Sequence, residues 1–127
     1  MSRFAHRAHE LEELLLAGTL PLREIRGAAV VDESGLVLVS SLKARGLEEG
    51  LAAVAGATLA SLVRAQAEFQ LGSLQYFHLA GNQRQLFLVP IIDSIHLLAV
   101  VEAGATAGTV VTHLLALARD IAGATRD

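Results

Sequence analysis

Residues 27–41, GAAVVDESGLVLVSS, set two short apolar runs on either side of Asp32-Glu33-Ser34-Gly35. Side chains alternate across a strand, so Ala29 and Val31 face one way, Ala28 and Val30 the other, and Leu36 and Leu38 oppose Val37 and Val39. Neither face is polar until the ends. An antiparallel strand with one wet face would alternate apolar with polar, so this hairpin predicts cover on both faces. In a small domain that cover comes from helices on both sides of the sheet. The hairpin is therefore expected at or near the sheet centre. Its tip falls at Ser34-Gly35, where glycine tolerates the positive φ of a tight turn.

The other elements follow from period and punctuation. Residues 2 to about 17 predict a helix with Phe4, Ala8, Leu11 and Leu15 on one stripe and Arg3, Arg7, Glu10 and Glu13 elsewhere. Gly18 is placed to end it, and Pro21 prevents its continuation. Residues 47 to about 69 predict a middle helix, with Glu48 and Glu49 at the positive end of its dipole. Three strands come next, Leu74 to Leu79, Gln85 to Ile92 and Ile95 to Glu102, joined by turns at Gly81-Asn82 and Asp93-Ser94. Pro90 has no ladder donor and belongs at a strand end, a bulge or an edge. Ala107 to Ala122 predicts a final amphipathic helix with Val110, Val111, Leu114, Leu117, Ala118 and Ile121 inward. The order is helix, two strands, helix, three strands, helix, in one domain spanning 1–127.

The middle helix is unusual in what it turns outward. At about 100° per residue, Leu51, Leu59, Leu62 and Phe69 share one side, and Gly50, Ala53, Ala57 and Ser61 fall nearly opposite. Gly costs roughly 1 kcal/mol relative to Ala in a helix, yet this one carries Gly50 and Gly56. Close approach of another helix is one reason to keep such a strip small. An Ala-rich composition filling tolerant positions is the other. Composition favours the first: 53% of residues are hydrophobic and only 18% charged, against a usual quarter, so part of the surface is expected to be buried by a partner.

Several functions are excluded or left without support. Aromatics amount to 4%, lysine is represented by Lys43 alone and the formal charge is −3, so neither a stacking platform nor a basic stripe for nucleic acid is expected. The absence of cysteine removes disulfides, thiolate metal sites and cysteine nucleophiles. Met1 to Leu16 has no signal-peptide core, and the uncharged runs from Gly50 to Val63 and from Ala103 to Ala118 fall short of about 20 apolar residues. A cytoplasmic location without membrane insertion is the expectation. Of the histidines, His6 and His9 near Glu10 do not match a helical zinc motif and predict a solvated face, His78 and His96 sit in strands, and His113 flanks the last helix's stripe. No P-loop or G-x-S-x-G elbow is present, and Asp32 and Glu33, adjacent on a strand end, point to opposite faces. No catalytic residue, cofactor or metal is assigned.

Ile25-Arg26-Gly27-Ala28-Ala29-Val30-Val31-Asp32, leading into Ser34-Gly35-Leu36-Val37-Leu38, then the Ala-rich helix from Glu48, Leu74 to Leu79, and Leu97-Leu98-Ala99-Val100-Val101, together resemble the Roadblock, or dynein light-chain, family. The chain is most similar to the bacterial branch, the gliding-motility GTPase regulators. The resemblance implies an α/β (more narrowly α+β) fold: a five-stranded antiparallel sheet between one middle helix and two terminal helices. It also implies a dimer in which middle helices pack together and third strands pair edge to edge. Gly50, Ala53, Ala57 and Ser61 would then meet their mates, with Leu74, Tyr76 and His78 on the pairing strand.

The function so implied is a non-enzymatic homodimeric module that regulates or scaffolds a small Ras-like GTPase. A dimeric adaptor with no GTPase partner shares every fold expectation. Glu48, Glu49, Arg64 and Glu68, the solvent-facing charges of the middle helix, are the candidate partner surface. Arg64 has the chemistry of an arginine finger, but its place near the dimer helix favours a contact or salt bridge. A small-molecule sensor ranks behind both readings, since no convergent polar cluster is visible at an apolar pocket and a core of Ala, Val and Leu leaves little room.

Overall fold

The computed structural model describes residues 8–41 and 47–125, without the side chains of residues 47–49. Phe4 and His6, and the side chains of Glu48 and Glu49, lie outside the described part. The elements are α1 (Ala8–Thr19), β1 (Ile25–Asp32), β2 (Val37–Ser40), α2 (Leu47–Phe69), β3 (Phe77–Ala80), β4 (Arg84–Ile92), β5 (Ile95–Glu102) and α3 (Ala107–Ala124). The strands form a sheet in the order β2-β1-β5-β4-β3, every neighbouring pair antiparallel.

The two-sided hydrophobicity of β1 is resolved as expected. Ala28 and Val30 join Leu11 and Leu15 of α1 and Val110, Leu114, Leu117 and Ile121 of α3 in the larger core. Ala29 and Val31 pack with Ala52, Ala55 and Leu59 of α2, together with Leu88 and Leu98, in the smaller one. The inward residues predicted for α3 are all buried, with Ala122 added. At roughly 1.5–3 kcal/mol for each large side chain buried, this face holds α3 to the sheet.

The hairpin's place differs from expectation. β5 is the central strand, and of the hairpin's two strands β1 is interior while β2 is an edge. β2 is nonetheless covered, because a bulge reorients it. Val30 pairs with Val39 and Val31 with Val37, leaving Leu38 as the extra residue. Leu38 and Val39 therefore both pack against the larger core, while Val37 meets the α2 side, and strict alternation fails at this one residue.

Two other boundaries shift. Gly18 lies inside α1, where a Cβ would overlap the Leu117 side chain, so it serves close packing against α3 and not termination. β3 is four residues long, and Leu74 and Tyr76 precede it. Its ladder runs from Ala80↔Gln85 to Phe77↔Leu88, and Pro90, with no N–H, stands just beyond. Pro90 itself adjoins a bulge at Ile91.

By length and composition Gly50–Phe69 is long and apolar enough to cross a membrane, longer than the run counted to its first charge. In the fold its first half lies on the sheet instead.

Candidate interaction surface

α2 approaches the sheet through small residues. Ala52 and Ala55 are fully buried, with Leu59 between sheet and helix. Gly56 is buried against the β1–β2 tip, where an added Cβ would stand 3.0 Å from the Gly35 nitrogen; a Cβ on Gly35 would in turn stand 2.8 Å from the Ala52 carbonyl oxygen. Gly35 has φ +89°, so turn geometry and close approach both require glycine there. The tip is pinned by Asp32, whose Oδ1 accepts hydrogen bonds from the Ser34 N–H (2.9 Å), the Ser34 hydroxyl (2.7 Å) and the Leu36 N–H (3.0 Å). Desolvation pushes the Asp32 carboxyl up, but the Ser34 hydroxyl and the backbone N–H groups of Leu36, Ser34 and Gly35 outweigh it and hold the pKa below 3.8. Asp32 is thus a turn-forming group.

The opposite side of α2 is open. Gly50, Ala53, Ala57 and Ser61 are all exposed, and nothing among the described residues lies within 4 Å of where a Gly50 Cβ would be. Of the two helix glycines, only Gly56 is explained by contacts among the described residues. The large side predicted to face the sheet is only partly used: Leu59 is buried, Leu51 and Leu62 are half-buried, and Phe69 is 68% exposed. Phe69 is the last residue of α2 and lies clear of the smaller core. Arg64 and Glu68 face solvent.

β3 is an edge strand, its outer side unpaired by any described strand. Around it Leu71, Tyr76 and Leu79 leave large apolar surfaces in water. Leu74, expected on the pairing strand, instead turns in against the smaller core. His78 is in the strand, but its ring stacks on Phe87 at 4.3 Å and 7° and its Nε2 meets Gln85 Oε1 at 2.7 Å. Gln85, buried, donates through Nε2 to the carbonyls of Glu102, Ala103 and Ala105. This bracket ties the edge strand to the β5–α3 loop, so what His78 offers an incoming strand is its main chain. Sequence reading missed Gln85 because its partners are contributed by the far end of β5.

Two other histidines make contacts within the chain. His9 pairs with Glu13 at 3.0 Å on the exposed face of α1, and the half-buried His113 Nε2 meets the Gly18 carbonyl, joining α3 to α1. His78 and His96 are kept apart by β4. Among the described residues, no three His, Asp or Glu side chains converge as a metal site would require.

A sheet covered by helices on both faces, with an exposed small-residue strip on α2 and a short open-edged strand, defines a small α+β domain. The Roadblock/LC7 domain family model matches residues 11–102, and the chain belongs to that family. A search of curated proteins found no match. Among solved structures, MglB of Myxococcus xanthus superposes with a TM-score of 0.81 at 11% identity, covering 91% of this chain and 94% of that one. A Roadblock/LC7 domain from Streptomyces avermitilis gives 0.78 at 16% identity, covering 89% and 95%. The gliding protein MglB from Thermus thermophilus gives 0.77 at 19%, covering 91% and 87%. At these identities the likeness is one of fold.

Proposed function

We propose that the protein is a non-enzymatic, cytoplasmic interaction module that works as a homodimer and regulates or scaffolds a small Ras-like GTPase. The observation carrying this reading is the exposed strip of Gly50, Ala53, Ala57 and Ser61 on a helix whose first half already packs on the sheet through Ala52, Ala55 and Leu59. A helix bare of large side chains permits a second backbone to come close, and a twofold axis would set the strip against its own copy. Pairing of β3 with its mate would cover an edge that is otherwise a template for aggregation. The GTPase part rests on the resemblance to the gliding-motility regulators. Arg64 and Glu68, exposed on α2, with Glu48 and Glu49 of the same helix, remain the candidate partner charges, and the nucleotide belongs to the GTPase.

Light scattering on the purified protein, alone and with the Ras-like GTPase of the same genome loaded with a GTP analogue or GDP, tests both parts. A dimer that binds only the GTP-analogue form supports regulation; a dimer indifferent to nucleotide leaves a scaffold; a monomer refutes the pairing. Ala57→Arg is expected to dissociate the dimer, since an unpaired buried charge costs several kcal/mol. An unchanged mass would move the interface elsewhere.

A further inference from the structure

Little backbone holds β3 in the sheet. It is four residues long and pairs with β4 alone among the described strands. Phe77 reaches the smaller core, but Leu79 and Ala80 are exposed. A short strand with one neighbour and few buried contacts sits at the low end of local stability, where strand edges fray.

Side chains on the opposite face make up the difference. His78 stands directly across the ladder from Phe87, a fully buried core residue, and stacks on its ring at 4.3 Å. Gln85, the ladder partner of Ala80, is the diagonal neighbour of His78. Its amide nitrogen donates to the carbonyls of Glu102 and Ala105 at 2.9 Å and of Ala103 at 3.3 Å. Three carbonyls require a donor between them, so the amide oxygen is the end turned to His78. That oxygen can only accept, and His78 Nε2, 2.7 Å away, therefore carries the ring proton and donates it. Both polar atoms of a side chain only 5% exposed are thus engaged. Such a network fixes its members closely, because moving one leaves a buried polar atom without a partner.

We propose that Gln85 is a positioning residue for self-association: through His78 it holds the outer main chain of β3 in line with the sheet, ready to pair with β3 of a second copy. This role rests on the homodimer reading above and assigns part of the interface's strength to a buried residue out of any partner's reach. Strand pairing needs the edge groups of both copies aligned, and a frayed edge has to be ordered at the moment of binding. Strand edges left to water are commonly blunted by charge, proline or a bulge. β3 carries none of these over Phe77–Ala80, and a buried amide keeps it straight instead.

The test sets self-association against monomer stability in two variants. Gln85→Leu removes the amide at similar size, and His78→Phe keeps a ring on Phe87 without the donor. In light scattering over a concentration series, both are expected to dissociate at about tenfold higher concentration than the unaltered dimer. Amide hydrogen exchange should quicken in β3 and hold in β5. A folded Gln85→Leu chain that loses stability but dissociates unchanged would make the bracket purely structural and overturn the proposal. Nitrogen NMR on the unaltered chain tests it without relying on either variant: neutral His78 should carry its proton on Nε2, and a proton on Nδ1 overturns the bracket. A monomeric unaltered protein would defeat the homodimer reading and this role with it, whereas a dimer indifferent to both variants defeats the role alone.

Discussion

α2 and α3 are both long helices rich in Ala, Leu and Val, and the fold uses them in opposite ways. α3 turns its large side chains to one side and buries them, with Leu114 and Ile121 fully inaccessible, while Thr109, Thr112, Arg119 and Asp120 face water. α2 buries alanines and a glycine, and leaves Val54, Val63 and Phe69 more than half exposed. A helix with large residues inward is completed by its own chain. One with small residues on both sides can lie close to whatever covers each, and the outer side of α2 stays exposed.

This contrast is broken most severely at α3. Leu114→Ala should cost about 2–5 kcal/mol in chemical denaturation, because it empties a fully packed site. Val54→Ala on α2 should stay within about 0.5 kcal/mol for the monomer; a loss matching that of Leu114 would mean the two helices are not used differently. A sharper comparison lies within α2. Gly56→Val must push the Gly35 backbone away and should cost about 1–3 kcal/mol. Gly50→Ala meets nothing among the described residues and should raise monomer stability by up to about 1 kcal/mol while weakening self-association in light scattering. Equal effects from the two glycines would erase the distinction between inner and outer faces.

The smallest effect concerns the tip on which α2 rests. The Asp32 carboxyl has a folded pKa below 3.8, so its contribution is present above the unfolded value and is lost as pH falls through the folded one. Asp32→Ala should therefore flatten the acid limb of a stability-versus-pH series, by less than about 1 kcal/mol since the turn is solvent-screened. An acid limb identical to that of the unaltered protein would remove the carboxylate from the account of this turn.

What could be read before folding was local. The inward stripe of α3, the bounds of β5, the Asp93-Ser94 turn and the opposed faces of β1 follow from periodicity and turn chemistry that operate over a few residues. The exposed strip on α2 was legible for the same reason: helical spacing alone separates Gly50, Ala53, Ala57 and Ser61 from the buried side. The sheet order, with β5 at its centre and β2 at an edge, was not. Nor were the bulge at Leu38, the packing of Gly18 on Leu117 and Gly56 on Gly35, the inward turn of Leu74, or the Gln85 bracket. Each depends on which distant segment arrives as a neighbour, and no residue states that about itself. The Gln85 bracket is the extreme case, since its partners come from β3, the end of β5 and the loop after it, which meet only once the sheet has assembled.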